Sequence, residues 1–131
     1  FEQSAEYFYK AEQKYKINGI FLASIGIHES AWGTSKIASD KNNLFGFTAY
    51  DSDPYNSATS FDNYENAINK VAVVLSTKYL HVAGTKISDE LTATGTYFNG
   101  TTAKSVNVRY ASDTGWADKV FNYMQYLYNK L

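Results

Sequence analysis

The chain has 131 residues, of which twelve are Lys or Arg and thirteen are Asp or Glu, for a formal net charge of -1. This balance lacks the basic excess of a surface that binds nucleic acid, and no apolar run approaches the roughly 20 residues of a membrane-spanning helix. The absence of cysteine excludes disulfides and thiolate metal sites, and with two histidines we expect neither a metal site nor a cofactor.

The first third of the chain is predicted to contain two main helices. In residues 2–16 apolar side chains recur every three or four positions, as they do along an amphipathic helix. Asn18 and Gly19 tolerate positive φ and are predicted to end this helix. Residues 20–28 are apolar on nearly every face, so we expect this second helix at the centre of the domain, with one or two further helical turns within residues 34–39.

The middle of the chain is predicted to change from irregular to helical. Residues 43–60 have no helical period and are rich in turn-forming residues, with a short strand expected near residues 47–50. Asp62 and Glu65 resemble a capping box, and the apolar positions that follow, from Tyr64 to Tyr79, indicate a helix.

The last part of the chain ends in a predicted helix. Residues 88–90 predict the start of a shorter helix around Leu91, and residues 97–110 are interpreted as a connection with little periodicity. Asp113 and Thr114 are expected to open the final helix. Its apolar stripe consists of Trp116, Val120, Met124, Leu127 and Leu131.

These elements together predict an α+β fold that is mostly α-helical, with a small second lobe formed by the irregular segment after the central helix. The length fits one domain over residues 1–131. Because the chain starts at Phe1 without Met or an export signal, we expect this domain to be excised from a longer protein.

Glu29 is the first candidate for chemistry, because it follows an apolar helix that must lie in the core. Partial desolvation of such a carboxyl group raises its pKa, which is a property of general acids. Trp32 and Gly33 add an aromatic wall and a point where the backbone can approach a ligand closely. The alternative interpretation is a Glu at a helix end that points into solvent.

Other acidic and aromatic residues are open to two interpretations. Asp51 and Asp53 are typical of a turn, or else supply a catalytic or substrate-binding carboxylate. Trp116 falls on the apolar stripe of the last helix and is expected in the core. Tyr110 lies off that stripe, where its ring and hydroxyl are able to face a cleft. The high content of Tyr and Trp is compatible with a carbohydrate site.

Four sequence blocks occur in a fixed order along the chain. They are residues 28–35 (His-Glu-Ser-Ala-Trp-Gly-Thr-Ser), residues 42–46 (Asn-Asn-Leu-Phe-Gly), residues 61–68 with Phe-Asp-Asn-Tyr and Ala-Ile, and residues 110–120 with Tyr-Ala, Asp, Trp-Ala and Val. In these blocks and their spacing the chain closely resembles the bacterial glucosaminidase domains of glycoside hydrolase family 73, over nearly its whole length.

The resemblance implies a lysozyme-like fold, in which a helical lobe and a small β-lobe flank a groove that holds a glycan strand. It also implies hydrolysis of the β-1,4 bond between N-acetylglucosamine and N-acetylmuramic acid in peptidoglycan, outside the cell in the bacterial wall or as part of a phage lysin. By position, Glu29 matches the family's general acid and Tyr110 its active-site tyrosine. Asn43, Phe45 and Gly46 match the segment that shapes the groove floor.

The chain departs from the family in the β-lobe, where residues 46–61 are shorter than the usual hairpin. Asp51 and Asp53 are its only acids, so the second carboxylate stays unassigned among retaining, inverting and substrate-assisted hydrolysis. Trp32 and Tyr50 complete the predicted substrate-binding set. A muramidase on the same scaffold and a non-catalytic glycan-binding module are the alternative functions. In each case the partner is a peptidoglycan strand, bound by a monomer without nucleic acid or membrane insertion.

Overall fold

A computed structural model describes residues 2–49 and 52–130 of the chain. Helix accounts for 58% of the structure and a two-stranded sheet supplies the β part, which confirms the prediction of a mostly α-helical α+β fold. After a 3-10 turn at Glu2–Ser4, the helices are α1 (Ala5–Tyr15), α2 (Gly19–Ser30), α3 (Lys36–Lys41), α4 (Pro54–Ser57), α5 (Tyr64–Val74), α6 (Ala103–Tyr110) and α7 (Trp116–Tyr128). A π-helical segment, Leu75–Leu80, continues α5.

Helix α2 is the buried centre of the molecule, as its apolar sequence predicts. The Asn18 side chain caps its start by accepting a hydrogen bond from the backbone N–H of Phe21. The helix ends where Ala31, Trp32 and Gly33 take φ angles of 49°, 61° and 80°. This left-handed run turns the chain sharply away at the end of α2, where Glu29 is exposed while Ile27 and Ser30 stay buried.

One apolar cluster joins the helices into a single core. Helix α7 packs along α2, and α1 packs against both α2 and α5. Each of the main helices contributes, and the fully or nearly fully buried members include Phe8, Ala11, Leu22, Ile25, Ala38, Leu44, Ile68, Val71, Leu75, Val106, Trp116 and Val120. The predicted apolar faces of α5 and, as far as Leu127, of α7 are therefore confirmed as core faces, while Leu131 lies outside the described residues.

Several helix boundaries differ from the prediction. Lys16, with a φ of 53°, ends α1 in place of Asn18 and Gly19, and Gly115 rather than Asp113 or Thr114 precedes the first residue of α7. Helix α5 is capped by Asn63, whose side chain accepts a hydrogen bond from the N–H of Asn66, so the capping residue lies one position after Asp62. Residues 97–110 are not all connection, because Thr102 caps helix α6 through the N–H of Ser105. The short, polar α6 has a weak helical pattern, which explains why periodicity does not reveal it.

The β structure lies elsewhere than predicted. Strand β1 (Lys86–Ser88) pairs antiparallel with strand β2 (Leu91–Thr92), where a short helix was expected. The two residues between the strands form the turn, and their acidic side chains resemble a helix start in the sequence alone. The predicted strand near residues 47–50 is wrong for its described part, residues 47–49, which form a turn. Helix α4 is the regular element of residues 43–60 in the described structure.

Candidate active site

Glu29 lies in the last turn of α2 and is exposed to solvent. Its Oε1 atom accepts a hydrogen bond of 3.1 Å from the indole N–H of Trp116. Surrounding protein nevertheless raises the pKa of the Glu29 carboxyl, because desolvation outweighs the opposing effects of the Trp116 hydrogen bond and the nearby His28. The group is thus both reachable by a ligand and biased towards its protonated form, which are the two requirements of a general acid.

Trp116 is the first residue of α7, and only 1% of its surface is exposed. Its ring packs edge-to-face against Phe21 and lies 5.2 Å from the ring of Tyr110, centroid to centroid. The prediction that Trp116 belongs to the core is confirmed, but sequence reasoning missed its contact with Glu29. A buried indole N–H needs an acceptor, so the predicted burial of Trp116 was the feature of the sequence that could have indicated such a contact.

Tyr110 ends α6 and is half-buried between two other aromatic rings. Tyr79 contacts it edge-to-face at 5.4 Å, and Trp116 lies on its other side. Burial, followed by the charge of Glu29 and the proximity of Tyr79, raises the pKa of the Tyr110 hydroxyl far above its ordinary value. The hydroxyl therefore keeps its proton and is a hydrogen-bond donor rather than a base.

Asn107 is buried and holds the loop that joins Tyr110 to Trp116. Its amide nitrogen donates to the carbonyls of Ala111 and Asp113, at 3.3 and 2.9 Å. Its amide oxygen accepts the backbone N–H of Ala117 at 3.0 Å. These three bonds tie the end of α6 to the start of α7, so the positions of the two aromatic residues are linked.

Asn43 likewise holds a second loop in place through hydrogen bonds from its side chain to the backbone. Its oxygen accepts the N–H groups of Phe45 and Phe47, and its nitrogen donates to the carbonyls of Phe47 and Thr59. Only 1% of Asn43 and 3% of Phe45 is exposed. Both predicted substrate-binding side chains thus lie beneath the surface, where they shape the loop from within.

Gly46 brings this second loop close to Glu29. Its φ of +59° lies in the left-handed region, which favours glycine. A Cβ atom placed on Gly46 would lie 4.0 Å from Oε2 of Glu29. The structure therefore brings Glu29, Tyr110, Trp116 and Gly46 into one neighbourhood, with the two loops on its flanks.

Trp32 follows the end of α2 and packs against α7. Its ring is 42% exposed and packs edge-on against Tyr123 and Tyr126 of α7. There it helps to line a groove of about 650 Å³ between α1, α2 and α7. Glu29 is not among the described residues that line this groove, and the aromatic wall beside the acid stays a prediction.

Asp53 precedes α4 and is exposed. Its carboxylate accepts a hydrogen bond from the Asn56 amide at 3.1 Å, and its carbonyl accepts the N–H of Ser57. Among the described carboxylates, none contributes to the pKa of Glu29. Two further candidates, Tyr50 and Asp51, lie outside the described residues.

Within residues 2–49 and 52–130, no helix is long and apolar enough to cross a membrane. The same residues contain no group of three or more His, Asp or Glu side chains arranged to hold a metal ion.

An accessible carboxyl group with a raised pKa, with a pinned loop on either side, has the properties that a general acid of a glycosidase needs. The profile of a protein family described as "Mannosyl-glycoprotein endo-beta-N-acetylglucosaminidase" matches residues 5–129. The chain belongs to this glucosaminidase family of glycoside hydrolases.

The names of similar proteins agree with the family. A Streptococcus pneumoniae TIGR4 protein named "Putative endo-beta-N-acetylglucosaminidase" is 39% identical over 130 residues, which cover 99% of this chain and 18% of the relative. The protein of the same name from S. pneumoniae R6 is also 39% identical, with 17% of its length covered. A Bacillus subtilis "Beta-N-acetylglucosaminidase" is 29% identical over 140 residues, 97% of this chain and 15% of the relative. The chain thus spans less than a fifth of the length of these curated relatives.

Proposed function

We propose that the chain is a catalytic domain that hydrolyses the β-1,4 bond between N-acetylglucosamine and N-acetylmuramic acid in peptidoglycan, with Glu29 as the general acid. Family membership and the names of the relatives support the glucosaminidase activity. The observation that carries the role of Glu29 is its carboxyl group, which is exposed to a ligand while its pKa is raised by desolvation.

In this mechanism the protonated Glu29 donates its proton to the leaving glycosidic oxygen as the bond breaks. An oxocarbenium-like transition state develops on the sugar, and the departing oxygen no longer has to leave as an alkoxide. The protonated hydroxyl of Tyr110 donates a hydrogen bond to the N-acetyl group of the substrate or to the attacking species. Among the described residues, no hydrogen bond contributes to the raised pKa of this hydroxyl.

The second catalytic group is a separate part of the proposal. The engagement of Asp53 with Asn56 at the start of α4 supports a structural use for that carboxylate. We therefore expect Asp53→Asn to keep most of the activity, and Asp51→Asn is the variant that tests the remaining protein carboxylate of this segment. If both variants remain active and a thiazoline mimic of the cyclic intermediate inhibits the enzyme, the N-acetyl oxygen of the substrate is the nucleophile.

We further propose that the domain acts as a monomer on glycan strands of the bacterial cell wall, outside the cell. The location follows from the proposed substrate, which is a wall polymer. A single core shared by α1, α2, α5, α6 and α7 supports one catalytic domain. The far greater length of the relatives supports additional segments in the parent protein.

The test is a digest of purified peptidoglycan by the wild type and by Glu29→Gln, followed by borohydride reduction and mass spectrometry of the terminal sugar. Glu90→Gln is the matched control, because Glu90 is an exposed residue in the turn between β1 and β2. We expect reduced N-acetylglucosamine from the wild type and from Glu90→Gln, and none above background from Glu29→Gln.

Each other outcome has a definite meaning. Reduced N-acetylmuramic acid would make the domain a muramidase. Retained binding to the wall without new reducing ends from any of the three proteins would make it a glycan-binding module. Full activity of Glu29→Gln would remove Glu29 from the mechanism while leaving the bond specificity intact.

A further inference from the structure

The two carboxylate oxygens of Glu29 have different surroundings. Oε1 receives the indole N–H of Trp116 at 3.1 Å. Oε2 lies on the side of Gly46, 4.0 Å from the place where a Cβ of that residue would be. An indole nitrogen is only a donor, so Oε1 must act as the acceptor in this pair, in either protonation state of Glu29.

Trp116 is itself held in place. It is almost completely buried, with the ring of Phe21 edge-on against it and the ring of Tyr110 beside it. The next residue, Ala117, has its backbone N–H bound to the buried Asn107. The indole N–H therefore has a fixed direction that does not depend on a bound ligand.

We propose that Trp116 is the positioning residue of the general acid: its N–H holds Oε1 of Glu29 as the acceptor, so that the transferable proton resides on Oε2, on the side of Gly46. This inference rests on the proposed function, since it assumes that Glu29 is the acid. Trp116 acts through Glu29 and does not touch the substrate. A carboxyl group held in one orientation presents its proton to the glycosidic oxygen without a search among rotamers.

The hydrogen bond also sets the pH range of the reaction. A donor stabilises the carboxylate form, and the Trp116 contact lowers the pKa of Glu29 against the larger effect of desolvation. A general acid works only while protonated, so kcat/KM should fall as pH rises through this pKa. Loss of the N–H should move that fall to higher pH, whereas simple loosening of the core should not.

The first measurement uses nuclear magnetic resonance of the indole N–H groups across a pH titration of the free enzyme. The chain has two tryptophans, so Trp32 supplies an internal reference. We expect the Trp116 indole proton to shift with the titration of Glu29 and to lose that shift in Glu29→Gln. A Trp116 signal that does not respond to the Glu29 titration would overturn the proposal without any variant of Trp116 having to fold.

The second measurement is the pH profile of kcat/KM for Trp116→Phe, with Phe21→Leu as the matched control. Phe21→Leu disturbs the packing of the same indole but keeps its N–H. We expect Trp116→Phe to lose on the order of tenfold in kcat, as expected for a misplaced catalytic group, and to shift the alkaline limb upward. Phe21→Leu should lower the unfolding temperature without changing the pH at which kcat/KM falls on the alkaline side.

The two proposals fail in different ways. If Glu29→Gln is fully active, the acid assignment is wrong, whatever Trp116 does. Suppose instead that Glu29→Gln is inactive and that kcat/KM of Trp116→Phe falls at the same alkaline pH as that of the wild type. Glu29 then remains the acid, and the positioning role of Trp116 is wrong.

Discussion

Two loops flank Glu29, and each is pinned from below by one buried asparagine. In residues 43–47, Asn43 makes four hydrogen bonds to the backbone, and in the loop after α6, Asn107 makes three. The first loop brings backbone to the acid, at Gly46, whereas the second brings the side chains of Tyr110 and Trp116. The first flank therefore leaves space beside the carboxyl group, and the second donates the hydrogen bond that lowers its pKa against the larger effect of desolvation.

The largest effects are expected from removing the asparagines. Asn43→Ala and Asn107→Ala each leave buried backbone groups without partners, and we expect each to lower the free energy of unfolding by about 2–3 kcal/mol. Urea denaturation measures this loss. Asn66→Ala is the control, because Asn66 is exposed on α5 and its loss should change stability by less than about 0.5 kcal/mol.

Enzyme kinetics of the same variants sharpen the contrast between the loops. Asn107→Ala should displace the alkaline limb of the pH profile, because it loosens the backbone beside Trp116. Asn43→Ala should lower kcat/KM without moving the limb, because its loop supplies no donor to Glu29 among the described contacts. Equal displacement of the limb in both variants would contradict the division of roles.

Sequence reasoning predicted the helices that are marked by an apolar period or by continuous apolar sequence, and it missed the polar helix and the hairpin. The central α2 and the stripe of α7 follow directly from burial of apolar side chains. The hairpin of β1 and β2 and the polar helix α6 are set by turns and caps, and a pair of acidic turn residues looks the same as a helix start.

The site was predictable in the same uneven way. Glu29 is identifiable because it is a carboxylate placed directly after an apolar run, where desolvation is expected. Its pKa is raised, as that position predicts. Asn43 and Phe45 are recognisable as residues of the site region, but the sequence does not show that they are buried beneath it. The hydrogen bond between Trp116 and Glu29 joins residues 87 positions apart, and no local pattern encodes such a contact.

Gly46→Ala tests the space that the first loop provides. Its left-handed φ should cost roughly 1–2 kcal/mol of stability for any residue with a Cβ. Gly84→Ala is the matched control, since Gly84 has a φ of +91° and nothing within 4 Å of an added Cβ. We expect thermal unfolding to show similar losses for both variants and only Gly46→Ala to reduce kcat/KM. Unchanged activity of Gly46→Ala would show that the space beside Oε2 is not used.

Tyr110→Phe tests the hydroxyl on the opposite flank. The substitution keeps the ring between Tyr79 and Trp116, so stability should change little. A lost hydrogen bond of about 1.4 kcal/mol to the substrate predicts a fall of about tenfold in kcat/KM. Tyr79→Phe removes a neighbouring hydroxyl and should retain the activity of the wild type. If Tyr110→Phe is fully active on cell walls, its hydroxyl has no role in the reaction.

The smallest expected effect is that of Glu29→Gln on the free energy of unfolding. This free energy should rise at neutral pH, although the same substitution removes activity. The pKa of Glu29 is raised in the folded chain, so the folded state binds this proton more tightly than the unfolded state. That contribution favours folding below the ordinary pKa of a Glu and is lost as pH rises through the folded value. Glu29→Gln should therefore be more stable than the wild type at neutral pH and equal to it in acid, as measured by urea denaturation at both pH values. Glu90→Gln should show no such dependence, and an equal gain at both pH values would assign the effect of Glu29→Gln to packing. A gain confined to neutral pH would mean that the desolvated site of the Glu29 carboxyl group reduces stability once the group is ionised, and that the Trp116 hydrogen bond only partly offsets this cost.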